Sequence, residues 1–252
     1  MRTAQAKDIL WCQGADALSK AAADQLAAVL KDKPAAAILL PTGHTPLGLY
    51  RELVARVRAG TLDLTQARFF NLDEYVGLSS AHPLSYAGFL RQHLFEPAGV
   101  EDAHVRLLKG DAADLWAESA AYERAIAEAG GAELAILGLG VNGHVAFNEP
   151  GARWDGHTQV VELSARTREV HKMQTGGAHA IPVYGLSVGI ATLLKARRIL
   201  LLIAGDKREA LTAWLRQVED PHWPVTCLLQ HPNVTVIGDV ALKHSLRETD
   251  TA

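Results

Sequence analysis

Short apolar runs recur along this chain, and a stretch with helical periodicity follows almost every one. The runs 35–40 (Ala-Ala-Ala-Ile-Leu-Leu), 68–72 (Arg-Phe-Phe-Asn-Leu), 134–137 (Leu-Ala-Ile-Leu), 199–204 (Ile-Leu-Leu-Leu-Ile-Ala) and 234–237 (Val-Thr-Val-Ile) are too brief for independent helices. Consecutive apolar positions bounded by turn residues are the pattern of strands buried on both faces. Leu18, Ala22, Leu26, Val29 and Leu30 recur at helical spacing and predict a helix over 15–31. Further helices are expected over 47–57, 82–94, 112–129, 187–196 and 207–217, with a further strand over 159–163. Alternation of this kind folds as a parallel sheet covered by helices. The expected class is α/β: three layers, α/β/α, on a modified Rossmann-like, mostly parallel sheet. No linker divides the chain, so residues 1–252 read as a single domain. A lid-like excursion around 155–182 is expected; its part over 164–182 is polar, carries Gly176, Gly177 and Pro182, and reads as mobile.

Open α/β sheets bind ligands outside the carboxyl ends of their strands. The residues just past each apolar run are therefore the candidate site. After 35–40 come Thr42, Gly43, His44 and Thr45 at the start of a helix, with Thr45 suited to the N-cap and Pro46 to the first helical position. Free backbone N–H groups and two hydroxyls there suit a phosphate, although a capped helix without ligand would look the same. After 68–72 come Asp73 and Glu74. On an extended chain adjacent side chains point to opposite faces, so at most one of the pair faces a pocket; a helix N-cap is the competing reading. After 134–137 the stretch 138–150 places three glycines, Asn142, His144 and Glu149 within thirteen residues. Imidazole is the side chain best matched to proton transfer near neutrality. Lys207, past the run 199–204, can reach a phosphate as a point charge.

Composition narrows the function. A net charge of −3 leaves no basic footprint for nucleic acid. The apolar runs are far too short to span a bilayer, and the N-terminal residues show no signal-peptide pattern. Two cysteines, Cys12 and Cys227, make no disulfide framework and are expected to be reduced, buried thiols of a cytoplasmic protein. The 11 histidines include no HExxH pair, and no serine sits in a GxSxG elbow.

The order Leu-Pro-Thr-Gly-x-Thr-Pro, Asn-Leu-Asp-Glu-Tyr-Val-Gly-Leu, His-Pro-x-Ser-Tyr, Gly-x-Gly-x-Asn-Gly-His-Val-Ala-Phe-Asn-Glu-Pro, then Gly-Asp-Lys resembles the glucosamine-6-phosphate deaminase/isomerase family. That family is related to the 6-phosphogluconolactonases, and the resemblance spans about residues 35–240. It implies conversion of glucosamine 6-phosphate and water to fructose 6-phosphate and ammonia. The alternatives are the galactosamine 6-phosphate reaction and a 6-phosphogluconolactonase-like hydrolysis. By the same resemblance Asp73 is the base that moves a proton between carbons 1 and 2. His144 opens the sugar ring, held and charged by Glu149, with Asn142 orienting it. Thr42, Gly43, His44, Thr45 and Lys207 hold the phosphate of a small-molecule sugar-phosphate partner, and no cofactor or metal is implied.

The chain departs from the family pattern at three places. His44 stands where relatives often carry a second glycine, and Asn142 where some carry Asp. Residues 166–173 (Arg-Thr-Arg-Glu-Val-His-Lys-Met) replace a segment whose arginine clamps the phosphate, leaving Arg168, His171 or Lys172 as its substitute. The basic and hydroxyl residues of the allosteric members are mostly missing after 150, so no activation by an N-acetylated aminosugar phosphate is expected. Oligomeric state is not legible in the sequence.

Overall fold

The computed structural model describes residues 9–177 and 179–243. Strand β1 (Ile9–Cys12) leads into helix α1 (Gly14–Asp32), whose Leu18, Ala22, Leu26, Val29 and Leu30 are all buried as their spacing predicts. β2 (Ala37–Leu40) is buried at every position and is followed by α2 (His44–Arg58). β3 (Arg68–Asn71) bends at Leu72 into the short β4 (Asp73–Tyr75). Helix α3 (Tyr86–Leu90) starts at Ser85, whose hydroxyl accepts from Gly88 N, and passes through a π-helical turn (Arg91–Phe95) into α4 (Glu96–Ala98). β5 (Val105–Arg106) and α5 (Leu115–Glu128) follow, the latter capped by the Asp114 carboxylate on Trp116 N and Ala117 N. Then come β6 (Ala132–Gly138), β7 (Gln159–Glu162), α6 (Ala165–Gln174) and β8 (Tyr184–Ser187). The chain continues through α7 (Ile190–Leu194), β9 (Arg198–Ile203), α8 (Arg208–Leu215) and β10 (Val234–Asp239).

The main sheet has the order β1-β10-β9-β6-β2-β3-β5, and every neighbouring pair in it is parallel. Alternate residues of its strands enter two separate cores. Leu39, Ala135, Leu137 and Leu201 pack with Tyr122 and Ile126 of α5 and with Leu211 and Trp214 of α8. Ile38, Leu40, Ile136 and Leu202 pack with Leu18 and Leu26 of α1 and with Leu49 and Leu53 of α2. This is the three-layer arrangement that runs apolar on both faces require. Truncating any of these buried leucines to Ala should cost roughly 2–5 kcal/mol. From β2 the chain moves outward to β3, whereas from its neighbour β6 it moves the other way to β9. The β2/β6 boundary is therefore a topological switch point, where such sheets open a crevice. A second, antiparallel sheet, β4-β8-β7, stands beside that crevice.

Several expectations are corrected. α2 begins at His44 with Gly43 as its cap, so Thr45 and Pro46 lie inside the first turn. Part of the stretch 164–182 is regular: the Ser164 hydroxyl accepts from Thr167 N and starts α6. Ser187 ends a strand, and the helix expected over 187–196 is confined to Ile190–Leu194. Both cysteines are free and buried, and burial pushes the Cys227 thiol up to about 12. The polar tail beyond 243 lies outside the described residues. Among the described residues no helix is long and apolar enough to cross a membrane.

Candidate active site

The segments leaving the carboxyl ends of β2, β3, β6 and β9 meet at one cleft, and α6 forms its remaining wall. Thr42, Gly43, His44, Thr45, Asp73, His144 and Lys207 all line it. Asn142, Glu149 and Arg168 do not reach its wall.

Asp73 and Glu74 divide their roles as strand alternation requires. The Glu74 carboxylate is 1% exposed and accepts four hydrogen bonds, from Tyr75 N at 2.9 Å, Tyr86 N at 3.0 Å, Ala87 N at 2.8 Å and the Ser85 hydroxyl at 2.8 Å. It fastens β4 to the N-terminus of α3, where two of those donors would otherwise be orphans. Asp73 faces the cleft, 7% exposed, and no described residue donates a hydrogen bond to its carboxylate. Burial first and the Glu74 charge second push the Asp73 carboxyl well above its ordinary value of 3.8. Behind it Asn71 is fully buried and fixes the turn: its amide donates to Asp73 O at 2.7 Å, and its oxygen accepts from Leu108 N and the Tyr122 hydroxyl at 2.9 Å each. A bare, buried carboxylate on a rigid turn is suited to taking a proton from carbon.

His144 sits on the loop after β6. Gly140 N donates to His144 O at 3.0 Å, and Val225 N donates to Gly143 O at 2.8 Å. A Cβ on Gly140 would fall 2.4 Å from the imidazole, so glycine at this position is what admits the ring. Ala146, two residues on, is held at φ 51°, a left-handed conformation that costs a non-glycine residue roughly 1–3 kcal/mol. Glu149 does not hold the imidazole. Its carboxylate accepts from the Asn142 amide at 2.6 Å and from Ser164 N at 3.4 Å, while Asn142 Oδ1 accepts from His144 N at 3.3 Å. The ring's Nδ1 is buried with no partner among the described residues. Burial lowers the His144 pKa below its ordinary 6.5; the Glu149 charge opposes this and Lys207 adds to it. Burial therefore disfavours the charged imidazole, and among the described residues no hydrogen bond joins its ring to Glu149, which reaches it through Asn142 and the loop backbone.

At the other end of the cleft Gly43 caps α2 at φ 98°, a conformation that favours glycine. The Tyr50 hydroxyl bonds Pro41 O and ties this loop to the helix behind it. The unpaired N–H groups of the α2 first turn carry the positive end of a 15-residue helix. Lys207 is half-buried at the cap of α8. Burial holds its pKa below the ordinary 10.5, opposed by Asp206 and reinforced by Arg166. Both border the cleft, so positive charge gathers on its wall.

Helix α6 presents Thr167, Val170, His171 and Gln174 to the cleft, an i, i+3, i+4, i+7 face. Arg168 lies about 100° around the helix from Thr167, which is why it is absent from the wall. Of the three candidates for the clamp, His171 alone faces the cleft. His44 is exposed, and its Nε2 meets Gln174 O at 3.4 Å, joining the loop before α2 to the last turn of α6. Tyr86 also lines the cleft and was not singled out by sequence reasoning; its place after the Ser85 cap was the available signal. Among the described residues no group of three or more His, Cys, Asp or Glu is placed to hold a metal ion.

The model of a family described as glucosamine-6-phosphate isomerases/6-phosphogluconolactonase matches residues 13–237. A glucosamine-6-phosphate deaminase of Lysinibacillus sphaericus is 40% identical over 225 residues, covering 88% of this chain and 94% of that protein. Another, of Rhodopirellula baltica, is 43% identical over 213 residues, covering 84% of this chain and 85% of that protein. The solved structure of a monomeric glucosamine-6-phosphate deaminase superposes with a TM-score of 0.90 at 35% identity, covering 95% of this chain and 100% of that one. A 6-phosphogluconolactonase from Trypanosoma cruzi superposes with a TM-score of 0.75 at 21% identity, covering 95% of this chain and 97% of that one, a likeness of fold alone.

Proposed function

The chain belongs to the family of glucosamine-6-phosphate isomerases and 6-phosphogluconolactonases, and from that premise we propose that its cleft converts glucosamine 6-phosphate and water to fructose 6-phosphate and ammonia. The α2 N-terminus and Lys207 hold the phosphate, far from the reacting carbons, and so orient the sugar. Neutral His144 takes the proton of the anomeric hydroxyl and returns it to the ring oxygen, which opens the ring to the aldehyde. Asp73 then removes the proton on carbon 2. The electron pair forms the carbon 1–carbon 2 double bond, and the carbonyl oxygen takes up a proton. Asp73 delivers a proton to carbon 1, leaving an imine at carbon 2. Water adds there, ammonia departs, and the ketose remains. Asn142 and Glu149 act one layer back, fixing the loop that carries His144.

The observation that carries this reading is Asp73: a carboxylate in the cleft, buried and without donors among the described residues, beside a neighbour whose carboxylate is fully engaged elsewhere. Lactone hydrolysis has no need of a base for a carbon-bound proton. A phosphorylated substrate and two buried thiols suit a cytoplasmic protein. The test is incubation of the purified protein with glucosamine 6-phosphate, with galactosamine 6-phosphate and the phosphogluconolactone as comparisons. Equal amounts of ammonia and fructose 6-phosphate are expected from the first sugar. No ammonia from it overturns the reading.

A further inference from the structure

His171 occupies a position on α6 that the reaction above does not use. Its Nδ1 lies 2.7 Å from the Tyr75 hydroxyl, and that oxygen accepts from the Tyr86 hydroxyl at 3.1 Å. With Tyr75 accepting from Tyr86, its own O–H is free to donate to His171 Nδ1. An imidazole that accepts at Nδ1 carries its proton on Nε2. The ring is also wedged in place: Phe147 lies 6.0 Å away between centroids, and the His144 ring stands at 89° to it, 6.4 Å away. Phe147 in turn packs on Tyr75 and Tyr86. Burial, aided by His144, pushes the His171 pKa down to about 4, so the ring stays neutral at pH 7. Its Nε2 has no protein partner among the described residues, and His171 lines the cleft.

We propose that His171 is a substrate-positioning residue: the Tyr86–Tyr75 hydroxyl pair locks its imidazole as the Nε2–H tautomer, which donates a neutral hydrogen bond to an oxygen of the bound sugar phosphate. This rests on the reading of the cleft as a sugar-phosphate site. A locked ring donates without reorganising, so it fixes the sugar at small entropic cost. It supplies direction rather than charge, which leaves the electrostatics of the phosphate end to Lys207 and the α2 N-terminus.

Steady-state kinetics on glucosamine 6-phosphate with His171→Gln, His171→Asn and His171→Phe, together with 15N spectra of the histidines, test it. A Gln amide nitrogen reaches about where Nε2 lies, whereas an Asn amide mimics Nδ1. Removing the donor in His171→Phe should raise KM about three- to tenfold, the loss of one neutral hydrogen bond, with kcat changed less than KM. His171→Gln should recover most of that loss and His171→Asn little of it. In the wild type the His171 proton should be on Nε2, and Tyr75→Phe should redistribute it. An unchanged KM in His171→Phe, an Asn variant as good as Gln, or a proton on Nδ1 in the wild type each overturn the proposal. If the wild type releases no ammonia, the reaction assigned above fails on its own. The proposal is then decided by whether fructose 6-phosphate shifts the His171 Nε2 resonance, as expected, or leaves it unmoved.

Discussion

Replacing Asp73 with Asn should separate function from stability in opposite directions. The carboxylate is buried, lacks donors among the described residues and adjoins the charge of Glu74, so its ionised form is penalised in the folded state. The folded pKa lies above the unfolded one. Between the two values the unfolded chain has released the proton and the folded chain has not, so stability falls as pH rises through that window. Leaving a buried acceptor without a donor costs roughly 1–3 kcal/mol, and the ionised Asp73 carboxylate bears that cost in the folded chain. The amide introduced by Asp73→Asn carries no charge and escapes this cost. For a chain of this size 1 kcal/mol moves Tm by roughly 2–4 °C. The variant should therefore melt several degrees above wild type at pH 7 and level with it near pH 4. The same change removes the base, and kcat should fall about 10²–10⁴-fold. In the wild type kcat/KM should rise with pH along a limb displaced above the ordinary aspartate value of 3.8. Thermal scans over pH and ammonia-release kinetics supply both readings. A variant that is less stable than wild type at neutral pH, or that turns over within tenfold of it, would refute the reasoning.

Three further outcomes follow from the geometry. Glu74→Gln places an amide NH2 among the four donors that the carboxylate accepts, and should lower stability by about 2–4 kcal/mol in chemical denaturation. Gly140→Ala puts a methyl 2.4 Å from the imidazole and displaces it; kcat should drop on the order of 10²-fold, while circular dichroism shows the fold intact. Lys207→Ala removes a charged contact to the substrate's remote end, so KM should rise roughly 10–100-fold with kcat changed far less, as initial-rate kinetics would show.

The parallel sheet was legible because its strands are apolar on both faces, and burial of Ile38, Leu39 and Leu40 together leaves no other arrangement. The place of residues 42–45 and Lys207 at the cleft was legible because strand ends and helix starts announce themselves locally. Helix α6 was not: within it Thr167 is the residue that is buried, since the face that carries Thr167, Val170, His171 and Gln174 looks into a cleft rather than a core. β4 was hidden for another reason. Three residues carry little pattern, and what makes Asp73–Tyr75 a strand is its pairing with β8, more than a hundred residues on. Strand alternation did predict that one acid of the Asp73–Glu74 pair turns away, though not which. The hydrogen bond from Asn142 to Glu149 depends on how the loop closes, so the sequence could offer proximity but not the partner.

The most direct test uses glucosamine 6-phosphate carrying deuterium on carbon 2. Aldose-to-ketose isomerisation with Asp73 as base removes that atom before ammonia leaves. The prediction is fructose 6-phosphate with no label on carbon 2, formed with a lower kcat/KM than from the unlabelled sugar. An aldose 6-phosphate that keeps the deuterium on carbon 2, released with ammonia at an unchanged rate, would contradict it.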